Sequence, residues 1–408
     1  MKNKNHFLYY WQQALFNCGL IVISGSVIQG FLLESGASED QVSLYVTVTL
    51  VIQTAAMLLL SRLLENVKNI RASIALTNAA HAVPVAALIV FSLRPGFAPG
   101  MVFGVLFGIA AVLSVAQGIQ NVLVYKLPFH IMDIRDYGRV SGQSGVILGV
   151  TGAAFSLLMS FLIKKTAYFP VFAAFSAVAL AFLLVSAFLV MRYRINDYQS
   201  AAEQTKRINL FRYRPFYRLL AANVLRGLAT GIFNLAAVIG YSEELIVSGG
   251  AEIMVALTQV ATILGCQSYA RIAQKHRNGL LLLISGFGFC AAMPFLVVGR
   301  SFAVFCIFYF ITSVFNVYIS YAIPVLVAER IDYACIGQYN AWRLALYTLG
   351  VAAGSACVPF LLRTVGGFGA LLIGGILMVP CGIGYYRFER RAAAGERSAP
   401  PDGTDRDA

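Results

Sequence analysis

Residues 114–143 read SVAQGIQNVLVYKLPFHIMDIRDYGRVSGQ, and residues 309–338 read YFITSVFNVYISYAIPVLVAERIDYACIGQ. The two stretches follow one plan. In the first, Ser114, Gln117, Asn121 and Tyr125 fall at i, i+3, i+7 and i+11, a polar stripe on one face of an apolar helix. Pro128 is expected to end that helix, and a charged loop, Asp133–Arg139, to follow. In the second, Tyr309, Ser313, Asn316 and Ser320 form the stripe, Pro324 the stop, and Asp332, Tyr333 and Gly337 the loop. Asp136 follows Pro128, and Asp332 follows Pro324, at the same spacing of eight residues. A unit repeated so far along one chain implies two halves of similar structure sharing a site between them.

Working outward, the chain is 408 residues long, 59% hydrophobic and 12% charged, with mean hydropathy +0.75. A water-soluble domain carries about 25% charged residues. Apolar runs with almost no carboxylate inside them predict an all-α polytopic membrane protein. Runs of about 20 residues place twelve spans at 8–33, 41–63, 73–92, 100–126, 141–163, 168–191, 216–239, 250–271, 278–298, 301–326, 337–362 and 366–388. The predicted layout is a six-helix bundle over 1–191, a cytoplasmic linker over 192–215, a second six-helix bundle over 216–391 and a disordered tail over 392–408.

An even number of spans puts both termini on one side. With that side cytoplasmic, all Lys and Arg residues lie in cytoplasmic segments or at the cytoplasmic ends of spans except Arg94, Lys164, Lys165, Arg300 and Arg363 outside, and Arg226 and Arg343 deeper within spans. The outer turns hold Glu34, Glu39, Asp40, Glu243, Glu244 and Glu252, and no carboxylate is expected inside a span. This is the positive-inside pattern, so the net charge of +13 requires no nucleic acid partner. It points to a plasma membrane, the inner membrane in a bacterium. The seven scattered cysteines show no metal spacing and read as packing residues. No nucleophile motif, phosphate loop or cofactor fingerprint is present, which argues against an enzyme, and no cofactor or metal is expected.

Polar content is periodic along the spans. Gln13 and Asn17 stripe the first, Asn223, Arg226, Thr230 and Asn234 the seventh, with the repeated stretches in the fourth and tenth. Amides are costly in hydrocarbon, so these four helices are expected to face one another around a hydrated cleft. Small-residue ridges on the fourth span (Gly100, Gly104, Gly108) and the fifth (Gly142, Gly145, Gly149, Gly152) predict close helix packing.

With these features the chain, over residues 8–391, resembles the major facilitator superfamily. The resemblance implies two six-helix bundles, with helices one, four, seven and ten lining a central cavity and three, six, nine and twelve outermost. The family's Gly-x-x-x-Asp-Arg/Lys-x-Gly loop corresponds here to the run Ser61–Lys68, in which Ser61 replaces Gly, Glu65 replaces Asp and Lys68 replaces the last Gly. The Gly- and Pro-rich fifth-helix motif of drug/proton antiporters is absent from residues 145–152.

The implied activity is secondary transport of a small polar or anionic organic solute by alternating access. The alternatives are efflux of amphipathic compounds and a transporter-like membrane sensor. Gln13, Asn17, Gln117, Asn121, Asn223, Arg226, Tyr309 and Asn316 are the candidate solute ligands, with Arg226 as the counter-charge. Glu65, Asp136, Arg139, Asp332 and Arg343 are candidate gate residues, with Glu329 or Asp332 as a partner for Arg343. His81 is the candidate for a coupling proton, against a simple hydrogen-bonded role beside Asn78. The expected partners are the solute, the bilayer and a coupling proton or cation, with the protein a monomer.

Overall fold

The computed structural model describes residues 2–23, 25–64, 67, 69–94, 97–132, 134–195, 214–246, 249–273, 277–330 and 333–393. All regular structure among them is helical. The first half comprises α1 (Lys2–Ile21), α2 (Gly25–Glu34), α3 (Glu39–Leu64), α4 (Ile70–Ala80), α5 (Ala82–Leu93), α6 (Pro99–Ile131), α7 (Ile134–Lys165) and α8 (Tyr168–Met191). The second comprises α9 (Arg214–Asn234), α10 (Ala236–Ser242), α11 (Gly250–Ala273), α12 (Asn278–Ala292), α13 (Phe295–Val298), α14 (Phe302–Arg330) and α15 (Tyr333–Ala393).

Ten described helical stretches are long and apolar enough to cross a membrane, and the pair α9–α10, bent by 42°, makes an eleventh. The stretch Trp342–Arg390 within α15 runs 49 residues, about twice what a bilayer of about 30 Å needs. It bends at Gly366, whose φ of 68° and ψ of 179° favour a residue without Cβ. Divided there, it supplies two spans and brings the set to the twelve expected. Large apolar side chains on the spans point outward, among them Leu59, Leu76 and Val112, each more than 70% exposed, as a lipid-facing surface requires.

Four expectations are corrected. Neither proline stops its helix: α6 continues past Pro128 to Ile131, and α14 past Pro324 to Arg330. A proline inside a membrane helix is tolerated because neighbouring groups satisfy the freed carbonyl. The loop expected at Asp133–Arg139 is mostly helix, since α7 begins at Ile134. The ridge of Gly100, Gly104 and Gly108 packs against nothing, for a Cβ at any of the three would meet no atom within 4 Å. Glu252, expected in an outer turn, lies in the first turn of α11 and is fully buried. Of the expected linker, residues 196–213 lie outside the described residues; of the expected tail, α15 includes Ala393 and residues 394–408 lie outside.

The two halves share breaks that hydropathy does not reveal. The first span of each is interrupted, between α1 and α2 and at Leu235 between α9 and α10. So is the third, at His81 between α4 and α5 and at Met293–Pro294 between α12 and α13. Interrupted helices at matching places are the device by which inverted or parallel repeats build a site.

Between the halves, α7 packs on α11 and α3 on α15. A Cβ at Gly149 would overlap Ile263, and one at Gly152 would stand 3.0 Å from Gln259, so the fifth-span ridge is a close-packing surface between halves. Described hydrogen bonds cross the seam, among them Gln29 to the Asn234 carbonyl, Ser43 to Ser355, Thr47 to Ala352, Ser160 to Gly249, and the exposed ion pair of Arg363 with Asp40. These lie toward the ends of the spans away from the chain termini. The structure is therefore closed on this far side.

Candidate functional site

The helices of the second half place a buried cation. Gly227 and Gly231 on α9 interleave with Gly350 and Gly354 on α15: a Cβ at Gly227 would stand 2.9 Å from the Gly350 Cα and overlap the Tyr347 carbonyl oxygen. This small-residue contact brings the two backbones together. It sets the Tyr347 ring 4.5 Å from the Arg226 guanidinium. Arg226 is 4% exposed and donates to Ser320 Oγ at 2.8 Å. Ser320 in turn donates to the Asn316 carbonyl on α14.

No carboxylate among the described residues pairs with Arg226, and its Nε has no partner. On the same two helices, α9 and α14, Asn223 Oδ1, Thr230 Oγ1, Ser313 Oγ and Asn316 Oδ1 are also buried without a hydrogen bond. Burying an arginine at membrane depth costs about 2.5–3.5 kcal/mol on insertion scales. The bond to Ser320 returns about 1.5–3 kcal/mol and the contact with Tyr347 about 0.5–2 kcal/mol. An unpartnered N–H costs about 1–3 kcal/mol again. The cation is thus held in place but only partly satisfied.

The first half carries a hydrogen-bonded network. Gln13 donates to Gln12, Gln12 and Asn78 both donate to Ser186, and Gln120 donates to Asn78 at 2.9 Å. This chain links α1, α8, α4 and α6. Beside it, His81 sits at the helix break with Nδ1 2.6 Å from the Thr77 carbonyl and Nε2 2.7 Å from Gln117 Oε1. Phe16 meets the imidazole edge-on at 5.6 Å. Gln117 Nε2 donates to Asn121 Oδ1 at 3.2 Å, and Asn121 Nδ2 reaches the Met57 sulfur.

A carbonyl accepts only, so Nδ1 is the donor to Thr77. With a cationic ring Nε2 also donates, and Gln117 presents its oxygen. With a neutral ring Nε2 accepts, so Gln117 must turn its amide over, and Asn121 must then turn as well. The orientation of two side chains follows one proton. The expected partner Asn78 is not part of this set; it bonds to Ser186 and Gln120 instead.

The structure thus joins Gln117 and Asn121 with His81, and Arg226 with Ser320 beside Asn316. Asn17 donates back to the Gln13 carbonyl within its own helix. Asn223 donates to the Tyr385 hydroxyl on α15, within its own half. Tyr309 is buried between Phe233 and Phe305 with its hydroxyl 3.2 Å from Thr258. Arg343 is buried on α15. Glu65 and Asp332 lie outside the described residues, as do the side chains of Glu329 and of Asp136 and Arg139 on α7.

Gln12, Gln120, Ser186 and Tyr347 were not among the sequence candidates. Gln120 sits off the polar stripe of its helix, and nothing local marks Tyr347. Glu252 was signalled, in retrospect, by being an acid just inside an apolar run.

No curated protein matches the chain. A solved D-xylose-proton symporter superposes with TM-score 0.69 at 14% identity, covering 94% of this chain and 97% of that one. The xylose transporter of E. coli in its inward-open conformation gives 0.67 at 15% identity, with 95% and 96% covered. The fucose:proton symporter of E. coli gives 0.57 at 16%, with 94% and 97% covered. At such identities the likeness is one of fold. The family model described as Major Facilitator Superfamily matches residues 10–334, and the chain, a multi-pass membrane protein with a transporter fold, belongs to that family.

Proposed function

We propose that this protein is a secondary transporter that carries a small organic solute bearing an anionic group, by alternating access between its two six-helix halves. The observation that carries the reading is Arg226: a buried cation with a free Nε, no counter-ion among the described residues, and four unpartnered polar atoms on the helices α9 and α14 that hold it. A carboxylate bound there would complete the guanidinium's hydrogen bonding, while the neighbouring amide and hydroxyl oxygens would accept from hydroxyl groups of the solute. Gln13, Asn17, Gln117, Asn121, Asn223, Tyr309 and Asn316 contribute from the two sides of the cleft. Asp136, Arg139, Glu65, Asp332 and Arg343 serve the cytoplasmic gate.

Two of the similar structures are proton symporters by name, which supports a coupling proton here; His81, whose charge sets the orientation of Gln117 and Asn121, can carry it. The charge distribution supports both termini in the cytoplasm, and one chain with its own paired halves supports a monomer.

The test is a thermal-shift screen of the purified protein against carboxylate and neutral metabolites, repeated with Arg226→Ala. Loss of a charge-assisted bond worth about 1.5–3 kcal/mol weakens binding about 10- to 150-fold. Anionic ligands should stabilise the parent and not the variant. Equal stabilisation of both, or stabilisation by neutral compounds alone, refutes the assignment.

A further inference from the structure

Glu252 is completely buried, and neither of its oxygens makes a hydrogen bond of ordinary geometry. It sits at the far-side seam, where elements of both halves meet around it. The Tyr168 hydroxyl from α8 lies beside it, in position to bond the carboxyl. Tyr241 from α10 and Glu34 from α2 are its other ionisable neighbours. The backbone of α2 is pressed onto the group: a Cβ at Gly30 would stand 2.9 Å from the Ala251 Cβ, 3.8 Å from the Tyr241 hydroxyl and 3.9 Å from that of Tyr168.

No cation offsets the acid. On α7, which also packs on α11, Lys164 and Lys165 are exposed at the helix end. On α14, Tyr309 is engaged by Thr258. Arg363 is exposed and paired with Asp40, and Glu243 accepts from the Gly367 amide on α15. Glu34 is exposed at the rim.

An unpaired carboxylate in such a place costs several kcal/mol of lost hydration, and a second carboxylate nearby adds to the cost. The neutral acid avoids both, and its O–H becomes a donor facing the tyrosine hydroxyls. Parting the seam would return the group to water, where the anion is the stable form. We infer that Glu252 is a proton-binding site whose protonated form holds the far side of the transporter shut. This deepens the transport reading above, on which its role in coupling rests, by naming where a transported proton is taken up. The step is one proton transfer: the carboxylate of the open state takes a proton from far-side water, with exposed Glu34 at the entrance, and the resulting acid is enclosed as the seam closes. Because the closed state binds the extra proton, alkaline conditions favour opening.

The test needs no substrate. In the full chain, with native cysteines replaced and the protein in lipid nanodiscs, nitroxides are placed at Ala98→Cys and Ser301→Cys, exposed far-side positions on opposite halves. Pulsed EPR distances are then recorded from about pH 5 to about pH 9, a range spanning carboxyl groups at ordinary and strongly shifted positions. The expected result is a longer-distance population that grows at least tenfold relative to the short one as pH rises. Glu252→Gln should keep the short distance throughout, Glu252→Asp should restore the response, and Glu34→Gln should retain it. A parent distribution that does not change with pH overturns the inference. So does a response that survives in Glu252→Gln or vanishes only in Glu34→Gln. Failure here is separable from failure at Arg226, because Glu252→Gln should still be stabilised by the anionic ligands of the thermal-shift screen.

Discussion

Replacing one glycine on each of two helices should give opposite results, and the structure sets the size of the difference. At Gly227 a Cβ would stand 2.9 Å from the Gly350 Cα and overlap the Tyr347 carbonyl. Ordinary carbon–carbon contact is about 3.5–4.0 Å, so α9 and α15 must part by roughly 1 Å to admit it. Backbone cannot rotate aside as a side chain can. Overpacking of this kind costs about 1–3 kcal/mol. At Gly104 the same methyl meets no atom within 4 Å. Both sites are helical, so the intrinsic gain of Ala over Gly, about 0.5–1 kcal/mol, is common to the pair and cancels. The difference between Gly227→Ala and Gly104→Ala is therefore the overpacking alone, a factor of about 5 to 150 in the unfolding constant. Reversible unfolding in mixed micelles of mild detergent and dodecyl sulfate, followed by circular dichroism, measures it. Equal midpoints, or a greater loss in Gly104→Ala, would refute the assignment of the tight α9–α15 contact. Because Tyr347 supports Arg226, Gly227→Ala should also weaken the anion stabilisation expected of the parent.

Two further outcomes follow from the hydrogen bonds. Gln120→Leu removes the donor to Asn78 Oδ1 in the buried network of the first half, and leaving that oxygen unpaired should cost about 1–3 kcal/mol in the same unfolding assay; an unchanged midpoint would show that the network is replaceable. Asp40→Ala breaks the ion pair with Arg363, whose side chains are 53% and 70% exposed, so the loss should be under about 1 kcal/mol and vanish in high salt. A large, salt-independent loss would mean that the far-side seam depends on this pair.

The membrane class, the number of spans and the repeat of the two halves were all legible in the sequence. Each rests on composition or on a helical period, which the bilayer enforces locally, because every apolar run must cross about 30 Å of hydrocarbon as a helix. Arg226 was legible for the same reason: a lone cation in an apolar run is conspicuous wherever it ends up. Position within a tertiary contact was not. Gly100, Gly104 and Gly108 carry the same spacing as Gly227 and Gly231 with Gly350 and Gly354, yet only the second set is packed. Spacing creates a smooth face, and the arrangement of neighbouring helices decides whether another backbone fills it. Pro128 and Pro324 read as helix ends because the cost of proline was judged without the surrounding helices that offset it. Glu252 read as a loop acid because the helix boundary falls two residues before it, and its burial depends on α2, α8 and α10 arriving from elsewhere in the chain. Sequence by itself determined which segments live in lipid and which side chains resist it; only the folded arrangement decided what those side chains meet, because contacts between distant helices depend on packing that no local period encodes.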